Sequence, residues 1–494
     1  MRSLLLVCAS AALYAASFPP LALGVLAWVA LVPLFHAIVS VRPRHAALLG
    51  ATWGLGIAIG VGLWFPGMLA SYFEQPPIVG WAGFLAVGLG LSGVYYAAFG
   101  AWLSWVGRRG AVAPLVVAAG WGACEFARAR LFVGNPWVLA GYSQVHFAPL
   151  VQIADATGPY GPGMLVAAVN AVIAGVFAAR LRGPRPLRSV AGVVAVLAFA
   201  LVYGEWRLAQ HFGDGEAVHV AVVQGAIERG FRWRPEYRDV SLGRYRELTE
   251  RAAAASPDLV LWPENAVDFY LQEDSPERRA VLDEARELGV DLVLGGPHYS
   301  FEAAQTRYHI SVFLVREGRI AARYDKLHLL PLAEENLPGA LWQRKTAYTP
   351  GRAPALLDTD VGRLGAFVCF EAMYPELVRR FALAGADVLA NLSNDAWFGA
   401  EAPARHHLDI ASFRAIENRR YLVRAASTGF SAVIDPWGRL TEISRFGTPD
   451  VLTASVRRCS GSTPYQRWGD AAAWLAVAAA LGQMTKRRNQ RRET

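Results

Sequence analysis

The sequence predicts a polytopic α-helical membrane domain joined to an extracytoplasmic domain of alternating strands and helices. The 494 residues are 54% hydrophobic and only 18% charged, which is too apolar for two ordinary soluble domains. The apolar residues concentrate before Tyr203, and shorter apolar runs alternate with charged stretches after it. We therefore predict seven spans in residues 1–203, the outer domain in 204–469, and a last span with a basic tail in 470–494.

Eight apolar runs predict membrane-spanning helices. A helix needs about 20 apolar residues to cross a bilayer, so the shorter runs must include flanking residues. The eight runs are residues 4–16, 21–39, 47–69, 79–105, 111–124, 164–179, 190–202 and 471–484.

Basic clusters predict the orientation of these spans, because Lys and Arg concentrate in cytoplasmic loops. The clusters are at residues 42–44, 108–109, 180–188 and 486–492. Eight spans with both termini in the cytoplasm put all four clusters inside and residues 204–470 outside. A cleaved signal peptide at residues 1–18 would leave an odd number of spans. The net charge of +8 is thus an orientation signal, and we expect no nucleic-acid partner.

The outer domain shows a strand and helix alternation typical of a layered α/β fold. Helical stretches are predicted at residues 237–255 and 277–288. Strands are predicted at residues 218–223, 259–262, 292–295, 311–315, 364–369, 388–392 and 432–434.

Three reactive residues stand at the ends of apolar runs in this domain. Cys369 closes one run, and the backbone N–H groups at such a junction favour a thiolate and can bind an oxyanion. Glu264 follows another run, and Lys326 precedes a third. Taken singly, they are a structural cysteine, a capping glutamate and a surface lysine. Together they form a nucleophile, a general base and a cation that stabilises negative charge.

The other cysteines and the histidine pair predict no further chemistry. Cys8 and Cys124 lie in predicted spans, and Cys459 is isolated, so no disulfide or metal spacing is present. Adjacent residues face different directions on a helix, so we expect a solvated or capping role for His406 and His407. No metal and no cofactor are expected.

The segments around the three reactive residues resemble the signature of the nitrilase (carbon–nitrogen hydrolase) superfamily. They are Trp-Pro-Glu-Asn at Glu264, Tyr-Asp-Lys-Leu-His at Lys326 and Val-Cys-Phe-Glu at Cys369. A fourth block, Asn-Leu-Ser-Asn-Asp-Ala-Trp-Phe-Gly at residues 391–399, is also similar, and the likeness covers residues 218–456. It implies a four-layer αββα sandwich and a Glu264–Lys326–Cys369 triad that works through a thioester.

A nitrilase-like domain held outside the membrane by eight spans resembles the apolipoprotein N-acyltransferase family. Motifs at residues 135–137, 141–144, 231–233 and 463–469, together with Gln224, carry this likeness. It implies an enzyme of the bacterial inner membrane with its catalytic domain on the periplasmic side. Such an enzyme moves an acyl chain from a phospholipid to the N-terminal amine of the diacylglyceryl-cysteine of a lipoprotein. The implied partners are the bilayer, the phospholipid donor and the lipoprotein acceptor, and we expect a monomer.

The same likeness suggests supporting and substrate-binding residues. Glu334 and Glu371 match supporting positions, although Glu334 could be a surface carboxylate beside Glu335. Trp233, Trp397 and Phe370 match positions that contact substrate, although either tryptophan could instead belong to the core. Phe370 stands where relatives commonly have tyrosine.

Two other classes of protein share parts of this pattern. A membrane-bound amidase or nitrilase would use the same triad, but a single anchor would serve it. A transporter or receptor with a non-catalytic outer domain would usually carry ionisable residues within its spans. Such a domain would also be expected to have lost part of the triad.

Overall fold

The computed structural model describes residues 1–72, 74–107, 112–179, 186–213, 215, 217–227, 235–302, 305–331, 333–336 and 347–492. The chain divides into two compact units. One unit comprises Met1–Gln210 together with Trp468–Thr494, and the other comprises His211–Arg467.

The first unit is helical. Proline opens several of its long helices, where its missing N–H costs no hydrogen bond. A π-helical turn at Leu89–Gly93 joins two helices into one continuous apolar segment. The longer helices are Arg2–Ala15, Val32–Val39, Pro43–Gly62, Trp64–Tyr72, Pro77–Gly88, Val94–Gly107, Pro114–Arg130, Tyr160–Ala179, Pro186–Leu208 and Ala471–Arg492.

Among the described residues, four helices are long and apolar enough to cross a membrane. They are Pro43–Gly62, Pro77–Gly107, Tyr160–Phe177 and Leu187–Leu208, and Arg2–Ala15 and Gly24–Val39 are shorter apolar helices. Each predicted run overlaps a helix, but the count of eight spans stays a prediction. Basic residues 108–109 and 180–185 lie outside the described residues.

Two predicted runs differ from the helices found. The run 47–69 is interrupted at Leu63, because Pro66 has no N–H to donate to the carbonyl of Gly62. The run 21–39 begins its helical turns only at Gly24.

Two buried charges in the first unit hold the loop that follows helix Pro114–Arg130. Glu125 and Arg128 lie in the last turns of that helix and are fully buried. The Glu125 carboxylate accepts from the Ala140 N–H at 2.7 Å, and the Arg128 guanidinium donates to the Asn135 carbonyl at 2.7 Å. The motifs at 135–137 and 141–144 are therefore anchored to the helix, since a buried charge is retained only with hydrogen-bond partners.

The second unit contains, in its described residues, two six-stranded sheets. The first sheet has the order β12-β1-β2-β3-β4-β5, and the second has the order β11-β10-β9-β8-β7-β6. Strands β1, β2 and β3 are mutually parallel, as are β7, β8 and β9. The strands are β1 Ala217–Gln224, β2 Leu259–Leu261, β3 Asp291–Glu302, β4 Gln305–Arg316, β5 Arg319–Asp325, β6 Leu356–Thr359, β7 Gly362–Val368, β8 Val388–Ser393, β9 Leu422–Ala426, β10 Ala432–Ile434, β11 Leu440–Ile443 and β12 Asp450–Arg457.

The two sheets pack face to face with helices outside them, so the expected αββα sandwich is confirmed. Buried side chains of both sheets share one core that also takes in helices Pro375–Leu383 and Glu401–Asn418. A second core joins the first sheet to helices Arg238–Ala253 and Pro276–Leu288. Strands buried on both faces read as continuous apolar runs, which is why the sequence could predict the central ones.

Each predicted strand and helix of this unit overlaps an element of the structure, with shifted ends. Strands β3 and β4 are longer than predicted because they form an extended hairpin. Cys369 is not the last residue of β7 but the first of a short 3-10 turn, Cys369–Met373. The predicted strands omitted β5, β6, β9, β11 and β12. Two of these, β5 and β11, are largely exposed and carry no apolar run.

Candidate active site

The three predicted reactive residues each follow the end of a strand, and these strand ends lie close together. Glu264 follows β2 of the first sheet, Lys326 follows β5 of the same sheet, and Cys369 follows β7 of the second sheet. The Lys326 ammonium lies 3.5 Å from the Glu264 carboxylate. Both charges lie close enough to the Cys369 thiol to alter its pKa. The structure therefore brings the three side chains together.

Cys369 occupies a strained turn. Its φ angle is +47°, in the left-handed region that residues with a Cβ rarely adopt. The side chain is only partly buried, whereas β7 before it is wholly buried over its last five residues. Strain of this kind persists where surrounding contacts over-determine the backbone, and it is typical of functional sites.

Lys326 is buried between two carboxylates. Its ammonium donates to Glu334 at 2.8 Å and lies farther, at 3.5 Å, from Glu264. The second oxygen of Glu334 accepts from the Leu330 N–H at 2.7 Å. Glu334 is thus a buried partner of Lys326 and not a surface carboxylate, and Glu264 is left as the carboxylate farther from the ammonium.

The electrostatic surroundings keep the resting thiol protonated. Burial, with the Glu264 carboxylate second, raises the pKa of the Cys369 thiol above its ordinary value, and Lys326 opposes them only in part. The expectation that this strand end favours a thiolate is therefore wrong for the resting site. Burial alone would lower the pKa of Lys326, but Glu334 and Glu264 outweigh it and raise that pKa. Lys326 is a permanent cation, and Cys369 needs a base.

Glu371 ties the cysteine turn to the lysine loop. Its carboxylate accepts from the Val368 N–H at 2.7 Å on one side. On the other side it accepts from the Leu327 N–H at 2.7 Å, the His328 N–H at 3.0 Å and the Tyr324 hydroxyl at 2.8 Å. Burial raises the pKa of Glu371, and these hydrogen bonds act in the opposite direction. The structure gives Glu371 contacts with the backbone that carries the triad.

A glycine in β3 allows Glu264 to sit where it does. A Cβ added to Gly295 would lie 2.6 Å from the Glu264 Cα and 2.7 Å from the Pro263 carbonyl oxygen. Both atoms belong to the backbone and could not move aside cheaply. Gly295 is thus required for the close approach of the segment that carries Glu264.

A second polar cluster lies at Cys369, and sequence reasoning missed it. Asp395, His407 and Arg424, which we name the Asp395 cluster, are buried. The His407 ring lies 3.2 Å from the Cys369 carbonyl oxygen and 3.1 Å from the Asp395 carboxylate. The solvated or capping role expected for His406 and His407 is wrong, because helix Glu401–Asn418 is covered all round and buries both rings. The available signal was Asp395, which also follows an apolar strand.

The three expected substrate-binding residues have different surroundings. Phe370 is half-buried and packs edge-on against Tyr374, which in turn stacks on His328 with ring centroids 4.5 Å apart. Trp397 is half-buried in the turn Asp395–Trp397. Trp233 lies outside the described residues. No contact in the structure tests a substrate role for any of them.

The arrangement can perform nucleophilic acyl transfer. It supplies a thiol, a carboxylate whose charge acts on that thiol, and a fixed ammonium 3.5 Å from the carboxylate. In the part of the chain that the structure describes, no three or more His, Cys, Asp or Glu side chains group so as to hold a metal ion.

Comparison with known proteins first defines the class. Residues 219–462 match the family model Carbon-nitrogen hydrolase, which agrees with the two sheets of the second unit. A Nesterenkonia AN1 amidase of the nitrilase superfamily is 20% identical over 50% of this chain and 93% of its own, with a TM-score of 0.40.

The particular family follows from the whole chain. Residues 10–172 match the model Apolipoprotein N-acyltransferase N-terminal domain. An apolipoprotein N-acyltransferase of Geobacter metallireducens is 36% identical over 97% of this chain and 94% of its own. One from Methylococcus capsulatus is 31% identical over 98% of this chain and 95% of its own. The chain belongs to the apolipoprotein N-acyltransferase family.

Proposed function

We propose that this enzyme transfers a fatty acyl chain from a membrane phospholipid to the N-terminal amine of the diacylglyceryl-cysteine of a lipoprotein. The acyl chain is carried between the two substrates as a thioester on Cys369. The observation that supports this most strongly is the buried Glu264–Lys326 pair beside a strained cysteine, in a chain of this family.

The first half-reaction forms the thioester. Glu264 accepts the proton of the Cys369 thiol as the sulfur attacks the ester carbonyl carbon of the phospholipid. The new carbon–sulfur bond places a negative charge on the carbonyl oxygen, and Lys326 with the Phe370 N–H stabilises it. The ester carbon–oxygen bond then breaks, and the lysophospholipid oxygen leaves with the proton held by Glu264.

The second half-reaction transfers the acyl chain. The lipoprotein amine attacks the thioester carbon, and Glu264 accepts a proton from that amine. The carbon–sulfur bond breaks, the amide product forms, and the Cys369 sulfur regains the proton from Glu264. Glu334 supports both halves by holding Lys326, and Glu371 supports them by holding the two loops. Trp233, Trp397 and Phe370 are our candidates for contacts with the substrates.

The helical unit supplies the membrane setting that both lipid substrates need. We place the protein in the bacterial inner membrane, with residues 204–469 on the periplasmic side and both termini in the cytoplasm. Four helices with the length and apolar composition of spans support the membrane setting, and the alternation of basic clusters supports the orientation.

Reporters fused after Gly204 and at Thr494 should be active outside and inside the cytoplasm, respectively. Cytoplasmic activity of the first would contradict the orientation.

The two rival functions find less support. Curated relatives over nearly the full chain carry the name apolipoprotein N-acyltransferase. A non-catalytic receptor would have no reason to retain a buried ammonium between two carboxylates, which costs desolvation free energy. An amidase that releases its acyl group to water would not need a lipid amine as acceptor. Measuring acyl release with and without a lipid amine therefore distinguishes an amidase from an acyltransferase.

Mass spectrometry of the purified protein tests the proposal. With phospholipid alone, the wild type should gain the mass of one acyl chain on Cys369, and a diacylglyceryl lipopeptide should then remove that mass and appear as triacylated product. Cys369→Ala should gain no acyl mass, and Cys369→Ser should be nearly as inactive because an alcohol ionises far less readily than a thiol. Acyl release to water at the same rate with and without lipopeptide would favour the hydrolase instead.

A further inference from the structure

The Asp395 cluster contacts the backbone of the nucleophile through His407, and the charge of Asp395 also acts on the thiol. The His407 Nε2 atom lies 3.2 Å from the Cys369 carbonyl oxygen. Its Nδ1 atom lies 3.1 Å from both the Asp395 carboxylate and the Arg424 guanidinium. His407 therefore connects a buried ion pair to the strained residue that carries the thiol.

The neighbours of the imidazole ring assign its proton. A carbonyl oxygen can only accept, so Nε2 must carry the hydrogen that it donates to Cys369. Nδ1 faces both an acceptor, the Asp395 carboxylate, and a donor, the Arg424 guanidinium, so the Cys369 carbonyl requires a hydrogen on Nε2 whether or not Nδ1 also carries one. Arg424 lies 3.1 Å from Nδ1 and donates to the Asp395 carboxylate at 2.8 Å. The contact with the Cys369 carbonyl thus makes His407 a donor toward the cysteine turn.

The remaining contacts of the cluster make it rigid. Ser393 donates to Asp395 at 2.7 Å, and Arg424 also donates to the side chain of Asn391 and to the Phe430 carbonyl at 3.3 Å. Asn391 in turn donates to the Phe367 carbonyl at 3.2 Å, next to the cysteine turn. Strands β7, β8 and β9 therefore share one hydrogen-bond network that ends at the Cys369 carbonyl.

The direction of one peptide plane links this network to catalysis. In a trans peptide the C=O and the following N–H point in opposite directions. The Cys369 carbonyl points to His407 inside the domain, so the Phe370 N–H points away from His407. We propose that His407 is a positioning residue that fixes the Cys369–Phe370 peptide so that the Phe370 N–H donates to the oxyanion of each tetrahedral intermediate. This inference rests on the acyl-transfer function proposed above.

A comparison of two reactions at the same sulfur tests this role. Alkylation of Cys369 by iodoacetamide needs an accessible thiol and its base, but it creates no oxyanion. Acylation by phosphatidylethanolamine in mixed micelles needs the accessible thiol, its base and the group that stabilises the oxyanion. His407→Met removes the donor at similar size, and we expect acylation to slow by about 10- to 100-fold while alkylation changes less than about threefold. His407→Gln, whose amide can still donate, should recover most of the acylation rate.

His406→Gln is the matched control. His406 is a buried neighbour on the same helix, and adjacent positions on a helix face different directions, so the ratio of the acylation rate to the alkylation rate should not change. If His407→Met does not fold, His407→Asn takes its place, because its shorter amide cannot reach the carbonyl. Equal losses of acylation and alkylation, or no loss of either, would overturn the inference.

The controls also separate this inference from the proposed function. If wild-type protein gains no acyl mass from phospholipid, the proposed function fails. The ratio of the acylation rate to the alkylation rate is then measured with p-nitrophenyl butyrate as the acyl donor, because this ester forms an oxyanion at any acylating thiol. A normal ratio in His407→Met with that ester would overturn the positioning role. A reduced ratio would support it whatever the natural acyl donor is.

Discussion

Two buried polar clusters contact Cys369 at different atoms and differ in how their charges are arranged. Glu264, Lys326 and Glu334 provide two carboxylates for one ammonium, and Glu264 and Lys326 act on the Cys369 thiol. The Asp395 cluster pairs one carboxylate with one guanidinium, and its His407 contacts the Cys369 carbonyl. The first cluster supplies the carboxylate that we propose as the base for the sulfur, whereas the second cluster holds the backbone of Cys369 through His407.

The difference teaches that burial of charge serves two purposes in one site. An unequal set of charges leaves a carboxylate that can accept a proton, at a cost in desolvation. A balanced and fully hydrogen-bonded set gives rigidity, because each member fixes the next. We therefore expect changes in the Asp395 cluster to act first on stability, and changes around Lys326 to act first on rate.

Asp395→Asn should give the largest effect on stability. The substitution leaves the buried Arg424 without its anionic partner, which typically costs about 3–5 kcal/mol. For a domain of this size the melting temperature of the detergent-solubilised protein should fall by about 6–15 °C. Glu442→Gln, an exposed carboxylate on β11, is the control and should shift the melting temperature by about 1 °C or less. Equal small shifts for both would remove the structural role of the cluster.

Glu371→Gln should be the next largest change, because Glu371 joins the two loops that carry Lys326 and Cys369. An amide NH2 cannot accept, so at least one of the four donated hydrogen bonds is lost, at about 1–3 kcal/mol. We expect a lower melting temperature and slower acylation together. Glu376→Gln, a half-exposed carboxylate paired with Arg379 nearby, should alter neither. A stable Glu371→Gln protein with slow acylation would mean that the carboxylate acts on the chemistry directly.

Glu334→Gln should act on rate more than on stability. With the charge of Glu334 gone, Lys326 is attracted more strongly to Glu264, which becomes a weaker base. The acylation rate measured by mass spectrometry should fall by about 10- to 100-fold with a nearly unchanged melting temperature. Glu335→Gln is the adjacent control and should stay within about threefold of wild type. A large loss of stability in Glu334→Gln would place Glu334 with the structural cluster.

The smallest effect is the contribution of His406 to the pH dependence of stability. Burial lowers the pKa of His406 to about 3, so the folded protein keeps this ring neutral while the unfolded chain protonates it near pH 6.5. Its contribution is present above pH 6.5 and is lost as the pH falls from there toward 3. Between pH 7 and 5 the loss should be about 1–2 kcal/mol, and His406→Gln should show a smaller drop in melting temperature over that range. Parallel curves for the two proteins would contradict this.

The sequence predicted the first cluster better than the second for a physical reason. Glu264, Lys326 and Cys369 each stand at the end of an apolar run, where a charge or a thiol is out of place unless it has a task. His407 lies in a helix whose polar and apolar residues are not separated onto different faces. The sequence around it therefore does not indicate what its side chain contacts. Arg424 lies in the middle of β9, and its partners come from residues that are distant in the chain. Apolar runs predicted the buried strands, and the resemblance to the nitrilase superfamily predicted their layers, whereas exposed strands such as β11 could not be predicted from apolar runs.

The rate of thioester formation in Glu264→Gln tests most directly whether the unequal cluster performs the proton transfer. The variant keeps the size of the side chain and removes the base. With phosphatidylethanolamine alone, we expect the acyl mass on Cys369 to appear about 10²- to 10⁴-fold more slowly than in the wild type, at a similar melting temperature. Acylation of Cys369 at the wild-type rate in Glu264→Gln would contradict the account, because it would leave the thiol, whose pKa is raised by burial, without the base that it needs.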